Sequence, residues 1–149
     1  MPIPLDEYPI HQAPLSLRYH TSSDRNVYDR CYLNAHDRTG DVFLVTGLGV
    51  YPNLGVIDAY ATVRVGDEQH SVHFSDALGE DLMAQRVGGY SIDVVEPLSR
   101  LRVRCDGDDH GVGFDLEWQG AFPVVDEAPH TLRTGNRRIL DAQRFAQVG

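Results

Sequence analysis

Residues 28–65 read YDRCYLNAHDRTGDVFLVTGLGVYPNLGVIDAYATVRV. Apolar and other side chains alternate here with the period of two expected of half-buried strands. Breaks at Arg38–Asp41 and near Pro52 divide the stretch into three strands. Asp29, Asn34, His36, Tyr51, Asp58 and Tyr60 nevertheless stand among residues that otherwise belong in a core. A buried polar group without a hydrogen bond costs about 1–3 kcal/mol, so this many in one sheet point to a lined pocket or a satisfied network.

The same alternation continues outward. Tyr28–Ala35, Val42–Leu48, Val56–Val65, Gln69–Ser75, Gly89–Val95, Arg100–Cys105 and Val112–Gln119 all read as strands. Arg38–Asp41, Gly66–Glu68 and Asp106–Gly111 supply the glycine and aspartate of short turns, so the strands they join pair antiparallel. Asp76–Val87 is the one helix candidate, with Ser75 or Asp76 as N-cap, a stripe of Leu78, Leu82 and Met83, and Gly88–Gly89 as its stop. In Val112–Trp118, Val112, Phe114, Leu116 and Trp118 oppose Asp115, Glu117 and Gln119, while Arg100, Arg102 and Arg104 oppose Leu101, Val103 and Cys105. Those strands have one wet face. The expectation is an all-β fold, an antiparallel barrel or curved sandwich with one short helix. Proline-rich residues 1–24 form an extended arm, residues 25–149 the β-domain, and the tail holds the strand-like pieces TLR and RRIL.

A chain of 149 residues suits one domain. With 13 basic against 22 acidic residues and a net charge of −9, it lacks the clustered positive surface that nucleic acid requires. No apolar run approaches the roughly 20 residues of a membrane helix. The start, MPIPLDEYPIHQAP, has neither a basic region nor an apolar stretch and does not read as a signal peptide, so a cytoplasmic location is expected. Cys31 and Cys105 sit in apolar segments and read as small hydrophobes.

YDRCYLNAHD, TGLGVYPNLGVIDAYA and the late RxxxDAQRF pattern together resemble the lipocalin-like (calycin) group of carotenoid 1,2-hydratase, also called hydroxyneurosporene synthase, and the AttH-type proteins. The likeness covers roughly Val27–Phe145 and is strongest to an uncharacterised actinobacterial branch. Members are similar to two consecutive barrels in a chain more than twice this long. The resemblance therefore implies a lipocalin-like N-terminal half, completed by a companion C-terminal barrel or by self-association as a homo-oligomer.

Asp106–Glu117 comes near the calcium-loop pattern, but His110 and Phe114 occupy ligand positions and strands flank it, so it reads as a hairpin turn. His70 and His73, three apart in a strand, point to opposite faces. No metal or cofactor is expected. Gly47, Gly49 and Gly55 lead to no lysine and read as serving a bulge and a Pro52–Asn53 turn.

What remains is Asp58 and Tyr60 as candidate catalytic groups, with Tyr32, Asn34, His36, Tyr51 and Trp118 as candidate ligand contacts. An inward Asp58 desolvated by apolar neighbours would act as a general acid near neutral pH. Hydration of an alkene needs such an acid, aromatic faces to stabilise a carbocation, and water. Two classes stay open. One is a domain binding an apolar small molecule (isoprenoid, steroid or lipid-derived), with hydration or another proton-driven alkene reaction as its chemistry. The other is a non-catalytic β-scaffold that docks a second barrel or itself.

Overall fold

The computed structural model describes residues 2–9, 22–142 and 145–146. Two four-stranded antiparallel meanders dominate it. The first comprises β1 (Asp29–His36), β2 (Val42–Tyr51), β3 (Val56–Val65) and β4 (Glu68–Ala77), ordered as in the chain. The second comprises β5 (Arg86–Val87), β6 (Tyr90–Glu96), β7 (Arg100–Cys105) and β8 (Phe114–Gln119), again in sequential order. More than half of the described residues are in strands. Among the described residues, pairings stay within each meander, so neither closes into a barrel.

Strand alternation puts one side of both sheets into a single apolar cluster. Leu44, Leu48 and Val50 of β2, Ile57, Ala59 and Ala61 of β3, and Val72 and Phe74 of β4 meet Val87, Tyr90, Ile92, Leu101, Val103 and Cys105 of the second sheet. Small Ala59 and Ala61 leave room for larger rings; Phe74 and Tyr90 lie 6.5 Å apart, centroid to centroid. Gly88 is needed for two reasons. It has φ +55°, and a Cβ there would come 2.6 Å from Phe74 Cδ1. At the centre, Thr46 Oγ1 lies 2.6 Å from the Tyr60 carbonyl and 2.8 Å from the Tyr90 hydroxyl. Threonine has one hydroxyl proton; given to the carbonyl, it leaves the Tyr90 hydroxyl as the donor to Thr46. Burial pushes the Tyr90 phenol well above its ordinary range.

The segment expected to be helical is not. β4 runs on to Ala77, the Leu78 amide donates to the Gly55 carbonyl across the sheet end at 2.8 Å, and the amides of Ala84, Gln85 and Arg86 donate to Asp81, Met83 and Ala84, only two or three residues back. Leu78 packs against the core, and Gln85 and Val87 are buried two residues apart, as in a strand. Cross-sheet burial outweighs a stripe of three apolar residues interrupted by Gly79. The helical structure described is instead a 3₁₀ turn at Pro4–Glu7, inside the arm expected to be extended. Glu7 anchors it, its carboxylate accepting from the amide of Leu98 in the β6–β7 turn, where Leu98 has φ +63°.

Tyr90→Phe should lower stability by about 1–3 kcal/mol, because Thr46 loses its buried donor. Adding Thr46→Val should cost less than the two single changes summed. Denaturant titration of the four proteins checks this; additive losses would contradict it.

Candidate functional site

Pairing between β1, β2 and β3 is free of register shifts from Asp29 to Val65. Gly47 and Gly49 therefore serve no bulge, contrary to the sequence reading, and their place in the register explains them instead. Gly47 stands between Tyr32 on β1 and Tyr60 on β3, and Gly49 between Arg30 and Asp58. All of these belong to the parity opposite Leu44, Thr46, Leu48 and Val50, so they form the face of the first sheet turned away from the core. The two glycines make its floor. A Cβ at Gly47 would lie 2.5 Å from the Cys31 carbonyl oxygen and 3.2 Å from Tyr60 Cε1. At Gly49 it would lie 3.1 Å from Asp58 Oδ1 and 3.3 Å from the Tyr51 ring and hydroxyl. Tyrosine rings thus lie over both glycines, an arrangement that compensates for glycine's poor packing in a strand.

Two pairs of rings border this floor. Tyr28 and Tyr51 are 6.0 Å apart, and the Arg30 guanidinium lies 4.7 Å from the Tyr28 ring centre. Tyr60 stacks beside His73 at 6.2 Å. Tyr32 stands out into solvent, 59% exposed. Burial, followed by the Asp58 carboxylate as a charge and as a hydrogen-bond acceptor, raises the Tyr51 phenol above its ordinary range. Burial and then the neighbouring Tyr32 raise Tyr60. Among the described residues no arginine comes within ion-pair distance of Asp58.

Tyr32, Tyr51, Asp58 and Tyr60 therefore come together, and Asn34 flanks them in the next row, opposite Val45. The other candidates lie elsewhere. His36 is three rows from Asp58, about 20 Å away at strand spacing, with Nδ1 2.8 Å from the Asp37 carbonyl oxygen. Trp118 is on β8 opposite Leu101, half-buried against the core. Asp29 has the core-side parity, opposite Val50. Tyr28, Arg30, Gly47, Gly49 and His73 were not singled out as site residues, although carrying the alternation of β1 back to Tyr28 and through both glycines would have found them.

The corresponding face of the second sheet carries a ladder of opposite charges. Arg102 Nε and Nη2 grip Asp115 at 2.7 and 2.5 Å, Arg86 and Arg104 share Asp93, and Arg100 is 3.8 Å from Glu117. Arg102 holds the Asp115 carboxyl below its usual range. Its charges answer one another across strands, as in a solvated sheet face. Two surface hollows, of about 350 and 450 Å³, lie near Tyr8 and Ile92 and near Gly89 and Phe114, away from Asp58. Cys31 and Cys105 are free thiols, and burial pushes Cys31 up to about 11. Among the described residues no group of three His, Cys, Asp or Glu is placed to hold a metal ion.

The chain belongs to the family described as Family of unknown function (DUF8625), which matches residues 3–149. No curated protein and no solved structure matches it. Among the described residues no helix is long and apolar enough to cross a membrane. The character of the site therefore rests on its own geometry.

Of the seven tyrosines, Tyr51, Tyr60 and Tyr90 should ionise later than an ordinary phenol on alkaline titration followed by phenolate absorbance. Each folded pKa lies above its unfolded value. Their contribution to stability is thus full below about pH 10 and fades as pH rises through the folded values. Tyr51→Phe should remove one late step; unaltered late absorbance would contradict the assignment.

Proposed function

We propose that the protein is a non-catalytic binding domain that takes an apolar-bodied small molecule on the tyrosine face of its first sheet. The observation that carries this reading is the convergence of Tyr32, Tyr51, Asp58 and Tyr60 over the side-chain-free floor of Gly47 and Gly49. Tyr32 and Tyr60 are two strands apart, about 10 Å between backbones, with no side chain rising from the strand between them. A ring system or chain laid on this face would stack on the Tyr60 and Tyr51 rings that cover Gly47 and Gly49, beside the exposed Tyr32, and aromatic surface offers large contact area at little entropic cost.

The polar end of the ligand is set by Asp58, Tyr51 and Arg30. A hydroxyl donates to the Asp58 carboxylate or accepts from the Arg30 guanidinium, so isoprenoid, steroid or lipid-derived alcohols are the favoured class. The lipocalin-like resemblance supports the same ligand class, with the open sheet face rather than a barrel lumen as its seat. The side chains between the sheets support that placement, because the shared core is occupied by the protein's own residues. Proton-driven alkene chemistry would need a neutral acid facing the ligand. The half-buried Asp58 accepts from Tyr51, an arrangement suited to recognition.

Calorimetric titration with isoprenoid alcohols, sterols and fatty acids tests the reading. Tyr32→Ala and Tyr60→Ala should each weaken binding of the best ligand by roughly tenfold or more, while His36→Ala should leave it unchanged. Equal affinity in all four proteins would contradict the proposal.

A further inference from the structure

The outer faces of the two sheets treat their charges differently. On the second, Arg86, Arg100, Arg102 and Arg104 each reach a carboxylate within 3.8 Å. On the first, Arg64 is held by the carbonyls of Gly40 and Gly66 at 2.8 and 2.7 Å. Arg30 and Asp58 are left apart. They share one row of the register, Arg30 opposite Gly49 and Gly49 opposite Asp58, so two strand spacings, about 10 Å, separate their backbones. The Arg30 guanidinium lies against the Tyr28 ring instead, 4.7 Å from its centre. Among the described residues no carboxylate comes within ion-pair distance of Arg30, and no arginine within ion-pair distance of Asp58.

Both groups keep capacity to bind. A guanidinium has five donors and a carboxylate about four acceptor sites, of which the half-buried Asp58 gives one to the Tyr51 phenol. A ligand hydroxyl answers one of these charges and leaves the other unmet. A ligand of a single sign meets one partner and is repelled by the other, and an anion is further opposed by the chain's net charge of −9. An end that carries both signs meets both partners and adds no net charge. The Tyr51 ring, which lies with the Asp58 carboxylate over Gly49, favours a cation on its face.

We infer that the polar end of the ligand is zwitterionic, its anionic group held by Arg30 and its ammonium group by Asp58 and the face of Tyr51; this rests on the tyrosine face being the binding surface. A lipid-derived alcohol esterified with a phosphocholine-type head group has this form. Glycine at position 49 serves the same end. A side chain there would rise between the two charges, and its Cβ would already lie 3.1 Å from Asp58 Oδ1.

Calorimetric titration of the full chain with four ligands that share one dodecyl chain tests this: dodecanol, dodecanoate, dodecyltrimethylammonium and dodecylphosphocholine, each as the monomer. Dodecylphosphocholine should bind roughly tenfold or more tighter than the other three. Arg30→Gln should weaken it by a similar factor and leave dodecyltrimethylammonium the tighter of the two singly charged ligands. Asp58→Asn should weaken it equally and leave dodecanoate the tighter. Equal affinity of the parent for all four, or variants that weaken all four alike, would overturn the inference. Dodecanol bound with an affinity that Tyr60→Ala reduces, but dodecylphosphocholine bound no tighter, would overturn the zwitterion alone and leave the binding face standing; binding of none of the four would overturn both. Retention on phosphatidylcholine vesicles without binding of the monomer would overturn it in favour of a membrane surface.

Discussion

The structure depends on a short chain of buried hydrogen bonds in which the Tyr90 hydroxyl meets Thr46, and Thr46 meets the carbonyl of Tyr60. Burial of apolar side chains is non-directional and by itself would let the two sheets slide over one another. A buried hydroxyl without a partner is costly, so this chain selects one alignment of β6 against β2 and β3. It also reaches through the sheet. Tyr60 takes Thr46's proton on its backbone while its ring covers Gly47 on the opposite face, so core packing and the shape of the tyrosine face are set at one residue.

That coupling explains why glycines are tolerated in a central strand. Gly47 and Gly49 contribute nothing to the core, and glycine weakens a strand interior. A methyl at Gly47 would meet the Cys31 carbonyl, a backbone atom that cannot swing aside, whereas at Gly49 it would meet the movable ends of Asp58 and Tyr51. Glycine is thus enforced most firmly at position 47, between Tyr32 and Tyr60, where the Tyr60 ring covers the strand. The second sheet shows the contrast: its outer face is filled row by row with arginines and carboxylates that answer one another.

Much of this was legible in the sequence. Val56–Val65 and Arg100–Cys105 are strands with the expected bounds, and the opposed faces of β7 and β8 follow their alternation. Parity along β1 and β3 also brings Tyr32 and Tyr60 to one side. Parity cannot tell which side is core, however. The polar residues read as lining an interior lie on the side away from it, because Leu44, Leu48 and Val50 outweigh Val45, Gly47 and Gly49 on β2. The helix expected after β4 failed because helical spacing of Leu78, Leu82 and Met83 is a local signal, and the packing of Leu78, Gln85 and Val87 is not local. Trp118 was grouped with the site by residue type alone, and no pattern within one strand shows that β8 belongs to another sheet.

The central claim is that the functional surface is the outer face of β1–β4, above Gly47 and Gly49. Amide chemical-shift mapping with the tightest-binding isoprenoid, steroid or lipid-derived ligand tests it most directly. Perturbations should centre on Tyr32, Gly47, Gly49, Asp58 and Tyr60 and fade toward His36. A map centred on the hollow by Tyr8 and Ile92, or on the charged face of β5–β8, would contradict the account.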